Sequence, residues 1–235
     1  MKQWQETETM TIDGLDRIEL ENTSIMEIDS ENINLIFVGI DRSGSMGRFA
    51  QDMIKALTDF RDALQTSGEA DEILVARADF AADVSVGGYK RIAEFDTSYD
   101  TGGCTALYDV VTLGTEKLKA YRDFLKKEGM RVRAVFAVFS DGRNTVGNNF
   151  AGARQALAYL KQEEITTAFV SFGGEAVQTA NDLGFQNILD VGSSASELRK
   201  AFQCLSRSVI EYSKTVLPVG ENFFEHMGNS SAFSI

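Results

Sequence analysis

The sequence predicts an α/β fold with a doubly wound, mostly parallel central sheet and helices on both of its faces. First, residues 35–40, 134–139 and 165–172 form short runs that are apolar on both alternating faces, as buried parallel strands are. Second, stretches with apolar residues at helical spacing alternate with these runs. Third, such alternation places right-handed crossover helices on both sides of one sheet. With 235 residues and 43% hydrophobic content, the chain can bury one large core.

The remaining elements follow in chain order. Residues 73–81 and 84–95, separated by Ala82 and Asp83, predict an antiparallel hairpin at one edge of the sheet, and residues 188–191 predict a last short strand. Ser193 and Ser194 are candidate caps for the last helix. Four helices are predicted from apolar stripes, which are Phe49, Met53, Leu57, Phe60 and Leu64; Leu107, Val111, Leu118, Tyr121 and Leu125; Phe150, Ala153, Leu157 and Leu160; and Leu198, Phe202, Leu205, Val209 and Tyr212.

The simplest division is one domain with two extensions: an acidic segment at 1–31, the domain at 32–212 and a tail at 213–235. Residues 1–31 hold two bases and nine acids, and therefore carry −7 of the net charge of −12. Within this segment, residues 10–20 and 25–28 have a loose period-two pattern, which suits edge strands or, as the favoured interpretation, a solvated arm. The nine acids are Glu6, Glu8, Asp13, Asp16, Glu19, Glu21, Glu27, Asp29 and Glu31.

Charge and composition exclude several classes of function. The net charge of −12 argues against a nucleic-acid binder and against a basic membrane-surface protein. The pattern of residues 1–15 predicts no signal peptide, and the sequence has no run of about 20 apolar residues that would span a membrane. Cys104 and Cys204 with one histidine cannot supply a four-ligand zinc site. We expect both cysteines to be reduced thiols that serve as packing residues, in a cytosolic protein.

Oxygen-bearing side chains follow the predicted strands where an open parallel sheet binds ligands. Asp41, Ser43 and Ser45 come directly after the strand at 35–40, and Asp141 follows the strand at 134–139. Thr105 lies in the glycine-rich loop at 101–109 that opens a helix. Two carboxylates and three hydroxyls are hard donors that suit Mg²⁺, or Mn²⁺ in its place. Five such groups leave a coordination place that an outside carboxylate can fill.

These motifs, in this order, resemble the von Willebrand factor A (vWA) domain family, a Rossmann-like fold, over residues 33–212. The resemblance implies a metal-ion-dependent adhesion site in which Ser43, Ser45 and Thr105 bind the metal directly, while Asp41 and Asp141 bind it directly or through water. It also implies a non-enzymatic role in which the metal receives an Asp or Glu of a protein partner. The acidic N-terminal extension lies outside the family pattern.

The function predicted from the sequence is therefore a cytoplasmic, bacterial or phage-encoded adaptor or assembly module. By resemblance, its partner belongs to an ATPase-associated or stress-response assembly. Arg42 and Met46 border the predicted site as loop residues that could contact the partner, although neither is counted as a metal ligand.

Two alternatives remain open. A phosphoryl-transfer enzyme using Asp41 is less favoured, because a dehalogenase-type phosphatase needs an acid at the position of Ser43. A serine hydrolase is not supported, because the sequence lacks its motif and a base: the one histidine, His226, lies in the unpatterned tail.

The second alternative is a structural or oligomerising protein whose extensions make the contacts, with the metal only stabilising the loops. It rests on the apolar cluster at 223–227, and Glu221 or Glu225 could reach the metal of a second copy.

Overall fold

A mostly parallel sheet forms the centre of the molecule in the computed structural model, which describes residues 30–67, 72–192, 194–214 and 223–224. The strands are β1 (Asn32–Asp41), β2 (Glu72–Phe80), β3 (Val84–Val86), β4 (Lys90–Arg91), β5 (Arg131–Ser140), β6 (Thr166–Phe172) and β7 (Asn187–Val191). The helices are α1 (Ala50–Gln65), α2 (Leu107–Lys127), α3 (Phe150–Gln162), α4 (Val177–Leu183) and α5 (Ala195–Lys214), and short 3₁₀ helices cover Gly44–Phe49 and Ile92–Glu94.

The strand order is β3-β2-β1-β5-β6-β7, with β4 also paired to β2. β1 runs parallel to both β2 and β5, and the pairs β5–β6 and β6–β7 are parallel too, whereas β3 and β4 run antiparallel to β2. This topology confirms the predicted fold class, including the antiparallel edge. Because the chain leaves β1 towards β2 on one side and later adds β5 on the other, the strand order reverses at β1, where such sheets bind ligands.

Alternate residues of each strand feed two cores. Ile36, Val38 and Ile40 face the layer of α1 and α5. Leu35 and Phe37 face the layer of α2, α3 and α4. Among the stripe residues whose side chains the structure describes, all are buried except the half-buried Phe150, so the four predicted helices are confirmed, while the side chain of Tyr212 lies outside the description. None of the described helices is long and apolar enough to span a membrane.

The second strand of the predicted hairpin differs from the expectation of one strand at 84–95. β3 ends at Val86 and β4 resumes at Lys90, with one extra residue inserted between the pairs Ala78↔Val86 and Val75↔Lys90. Gly87 donates its N–H to the Arg77 carbonyl at 2.8 Å, and a Cβ at Gly87 would lie only 3.0 Å from that oxygen. The glycines therefore form a bulge that interrupts the strand.

Helix α4 has no counterpart among the predicted elements, because its seven residues are too few for a recognisable stripe. It ends at Gly184, whose positive φ of 96° closes the helix. The predicted cap Ser194 is confirmed, since its Oγ accepts the N–H of Glu197 at 3.4 Å, whereas Ser193 lies outside the described residues.

The chain outside the domain is described only in part. Phe223 is buried in the core beside α1 and α5, and its N–H donates to Asn187 Oδ1 at 3.0 Å. The candidate strands at 10–20 and 25–28, the acids Glu221 and Glu225, and His226 lie outside the described residues. The division at 31 and 213 stays a prediction.

Candidate metal centre

The site lies at the carboxyl edge of the two central strands. Asp41 is the last residue of β1, and Asp141 directly follows Ser140, the last residue of β5. Since Ile40 pairs with Phe139, Asp41 and Ser140 are the next neighbours across the two strands. Parallel pairing thus brings both predicted carboxylates to one edge of the sheet.

Asp41 is held by contacts from three directions. Its Oδ1 accepts the N–H of Ser43 at 2.7 Å, and its Oδ2 accepts the hydroxyl of Ser140 at 2.5 Å. The Tyr99 hydroxyl donates to the Asp41 carbonyl at 2.5 Å. Sequence reasoning missed Ser140 and Tyr99. Adjacency to Asp141 was a signal for Ser140, whereas Tyr99 is 58 residues from Asp41 and has no comparable local signal.

Two serines connect Asp41 to Asp141. Ser43 Oγ lies 3.1 Å from Ser45 Oγ, and Ser45 Oγ donates to Asp141 Oδ1 at 2.7 Å. The turn made by Asp41 and Ser43 leads into the 3₁₀ helix Gly44–Phe49, which places Ser45 opposite the end of β5. Four of the predicted ligands therefore form one continuous cluster of oxygen atoms.

The fifth predicted ligand, Thr105, reaches the same place from the glycine-rich loop. Gly44 donates its N–H to the Gly103 carbonyl at 3.1 Å, which fixes this loop against the first one. Thr145, in the loop after β5, holds Thr105 in place through two hydrogen bonds. The N–H of Thr105 donates to Thr145 Oγ1 at 2.8 Å, and the N–H of Thr145 donates to the Thr105 carbonyl at 2.8 Å. A methyl group at Gly142 would lie 3.8 Å from Thr105 Oγ1, so this hydroxyl lies beside the backbone next to Asp141.

Burial makes the charge on Asp41 costly. Desolvation raises the pKa of Asp41, hydrogen bonds from Ser140 and Ser43 oppose this rise, and the nearby Asp141 adds to it. Tyr99 is kept protonated as a donor, because burial and then the negative charge of Asp41 raise its pKa. Arg48 is a positive group close to Asp141, with its Nη2 3.5 Å from Asp141 Oδ2. Arg48 offsets only part of the negative charge of the two neighbouring carboxylates, Asp41 and Asp141. A cation bound between them would therefore be favourable.

The donor set fits a hard divalent cation. No group of three or more His, Cys, Asp or Glu side chains lies together in the described ranges, so a metal here needs the Ser and Thr hydroxyls as ligands. Two carboxylates and three hydroxyls from three loops supply oxygen only, as Mg²⁺ or Mn²⁺ prefers.

The two bordering residues behave differently. Arg42 pairs with the carboxylate of Asp100, and its Nε donates to the Asp100 carbonyl at 3.0 Å. The expectation that Met46 is a loop residue open to a partner is wrong, because its side chain is fully buried in the core beside α1. The 3₁₀ turn directs this side chain inward.

No protein-family model and no curated protein sequence matches the chain, but solved structures do. The pilus adhesin SpaC from Lactobacillus rhamnosus GG matches 78% of this chain and 30% of its own, with a TM-score of 0.62 and 11% identity. A von Willebrand factor type A structure from Catenulispora acidiphila matches 77% of this chain and 43% of its own, with a TM-score of 0.53 and 15% identity. Proximal thread matrix protein 1 of the mussel byssus, solved with a zinc-occupied MIDAS motif, matches 76% and 46%, with a TM-score of 0.53 and 16% identity.

These likenesses show the fold: the chain has the α/β architecture of vWA-like structures. The chain spans about a third to a half of the length of these three structures.

Proposed function

We propose that this chain is a divalent-cation-dependent protein-binding module, with an adaptor or assembly role. The observation that supports this proposal best is the continuous oxygen cluster of Asp41, Ser43, Ser45 and Asp141, with Thr105 beside it. A neighbour of the same fold, solved with a zinc-occupied MIDAS motif, adds support for divalent metal binding.

The residues of the site have two different roles in holding the cation. Ser43, Ser45 and Thr105 would contribute neutral hydroxyls, and Asp41 and Asp141 would contribute the two charges that balance a dication, directly or through water. A Mg²⁺ or Mn²⁺ ion held by these residues would supply a coordination place for an Asp or Glu of a protein partner. Ser140 and Tyr99 keep Asp41 in place for this role.

The site suits binding better than catalysis. As a nucleophile, Asp41 would have to be reached by the phosphoryl group of a substrate, but the residue is 0% exposed. A phosphatase of the dehalogenase type also needs an acid where Ser43 stands. We therefore propose a non-enzymatic function.

The partner and compartment are proposals of the same kind. We propose a protein partner that presents an acidic side chain, in an ATPase-associated or stress-response assembly, and no nucleic acid or membrane. An intracellular, reducing compartment suits the exposed free thiol of Cys104. The alternative in which the extensions make the contacts loses part of its basis, because the apolar Phe223 is buried within the domain.

The proposal is tested by pulldown with the full chain as bait, first in Mg²⁺ and then in excess chelator. We expect a partner that is retained only with Mg²⁺ and is lost in Asp141→Asn and Ser43→Ala. Asp59→Asn is the matched control. Asp59 is exposed on α1, so this substitution removes the same charge at a position away from the site. A partner that stays bound in chelator would rule out the metal-dependent mechanism.

A further inference from the structure

Arg48 lies where it can interfere with a bound cation. Its Nη2 is 3.5 Å from Asp141 Oδ2, and its side chain is 57% exposed while that of Asp141 is 1% exposed. The guanidinium group also lies over the Phe49 ring, 4.7 Å from the ring centre. Arg48 is thus a solvent-facing cation placed against the carboxylate of a candidate metal ligand.

Asp141 has room for few partners. Its Oδ1 accepts the hydroxyl of Ser45 at 2.7 Å, and its Oδ2 is the oxygen that Arg48 approaches. A dication held by Asp141 would repel a guanidinium group a few ångströms away, because like charges at that distance interact even through water. Arg48 and the cation would therefore compete for the negative charge of the Asp141 carboxylate.

We propose that Arg48 competes with the divalent cation for Asp141 and thereby sets the affinity of the site for metal. This inference rests on the proposed metal site and adds a residue that lowers its affinity. The Arg48 side chain can turn away when a cation binds, because it is 57% exposed and its guanidinium group lies over the Phe49 ring at the surface. The competition is reciprocal, so the metal displaces Arg48 as much as Arg48 opposes the metal.

The competition has a second consequence. Because Arg48 lies on the same 3₁₀ helix as Ser45, a guanidinium group displaced from Asp141 would remain near the site, within reach of an incoming carboxylate. Arginine binds carboxylates through paired hydrogen bonds, so the displaced side chain adds a positive group to the partner-facing surface. Metal loading and the display of this charge are then coupled.

The test measures the affinity for the metal alone, by calorimetric titration of Mg²⁺ and by the electron paramagnetic resonance signal of free Mn²⁺. We expect Arg48→Ala to bind either ion roughly three- to tenfold more tightly than the unaltered chain, with Arg48→Lys in between. Arg143→Ala is the matched control: it removes an exposed arginine two residues from Asp141 for which the structure gives no contact with that carboxylate, and should change the affinity less than about twofold.

Thermal unfolding gives a second measurement. If Arg48 had only a structural role, its removal would not increase the effect of Mg²⁺ on the melting temperature. The rise in melting temperature on adding Mg²⁺ should be larger in Arg48→Ala than in the unaltered chain, because tighter binding stabilises the folded state more. An affinity that is unchanged, weaker, or raised equally by Arg143→Ala would overturn the competition while leaving the metal site in place. If the unaltered chain binds no Mg²⁺, or if Asp141→Asn binds it equally well, the proposed metal site itself fails and the competition fails with it.

Discussion

Ser140 and Ser171 are a natural pair for testing how the site is supported. They are paired in register on β5 and β6, and both are fully buried. Ser140 donates to Asp41, whereas the hydroxyl of Ser171 has no hydrogen-bond partner within the described part of the chain. One serine positions a candidate metal ligand and the other does not.

Ser140→Ala should therefore weaken Mg²⁺ binding by roughly tenfold, because outer groups that orient metal ligands carry effects of that size. Ser171→Ala should leave the affinity unchanged and the stability unchanged or slightly higher, since it removes a buried hydroxyl without a partner. Calorimetric titration and urea unfolding measure the two quantities. Equal effects of the two substitutions would contradict a specific role for Ser140.

The two cysteines should differ in reactivity. The prediction that both are packing residues is wrong for Cys104, which is exposed beside Thr105, and is confirmed for Cys204, which is buried on α5. Burial raises the pKa of the Cys204 thiol to about 11. At pH 8 the folded protein should expose one fast-reacting thiol to a maleimide, and the unfolded protein two, because only the thiolate of an accessible cysteine reacts. Mass spectrometry of the labelled peptides checks this. Fast labelling of Cys204 in the folded chain would be inconsistent with the packing of α5.

At the scale of elements, α2 approaches the sheet through one glycine. A Cβ at Gly114 would lie 2.5 Å from Phe37 Cε1 and 2.9 Å from Phe136 Cε2, and these two rings stack with their centres 4.8 Å apart. Gly114→Ala should lower the free energy of unfolding by about 1–3 kcal/mol, although alanine favours helix, because overpacking outweighs propensity. Urea unfolding measures it. Leu113→Ala, at a side chain 43% exposed on the same helix, should cost much less.

The C-terminal contact at Phe223 gives another prediction for the packing of elements. Phe223 is 2% exposed against the α1 and α5 layer, whereas Phe224 is only partly buried. Phe223→Ala should lower the free energy of unfolding by about 3 kcal/mol, and Phe224→Ala by clearly less. Equal, small losses in urea unfolding would show that the tail does not stabilise the domain, which would restore the alternative in which it faces a partner.

Strands and helices were predictable where a long pattern had one explanation. The runs at 35–40 and 134–139 are apolar on both alternating faces, so the sequence predicts central strands that place Asp41 and Asp141 at one edge of the sheet. The bulge at Gly87 and the seven-residue α4 were not predictable, since both depend on tertiary contacts of short segments. For the same reason the sequence predicts Met46, which follows polar residues, as a loop residue in reach of the partner, although the 3₁₀ turn buries its side chain.

At the scale of the whole molecule, charge and function are linked. The chain carries −12, of which −7 lies in residues 1–31. An acidic protein can bind an acidic side chain only if something reverses the charge locally. A dication between Asp41 and Asp141 would do so, and the scarcity of histidine and cysteine leaves oxygen as the ligand for it.

The central claim is that these oxygens bind a divalent cation, and unfolding in the presence of Mg²⁺ tests it most directly. Binding to the folded state alone adds about 2.7 kcal/mol of stability when free Mg²⁺ is 100 times the dissociation constant. We predict that Mg²⁺ raises the melting temperature of the unaltered chain and of Asp59→Asn, that chelator reverses the rise, and that Ser43→Ala and Asp141→Asn show none. Equal shifts in all four proteins, or no shift in any at millimolar Mg²⁺, would contradict it.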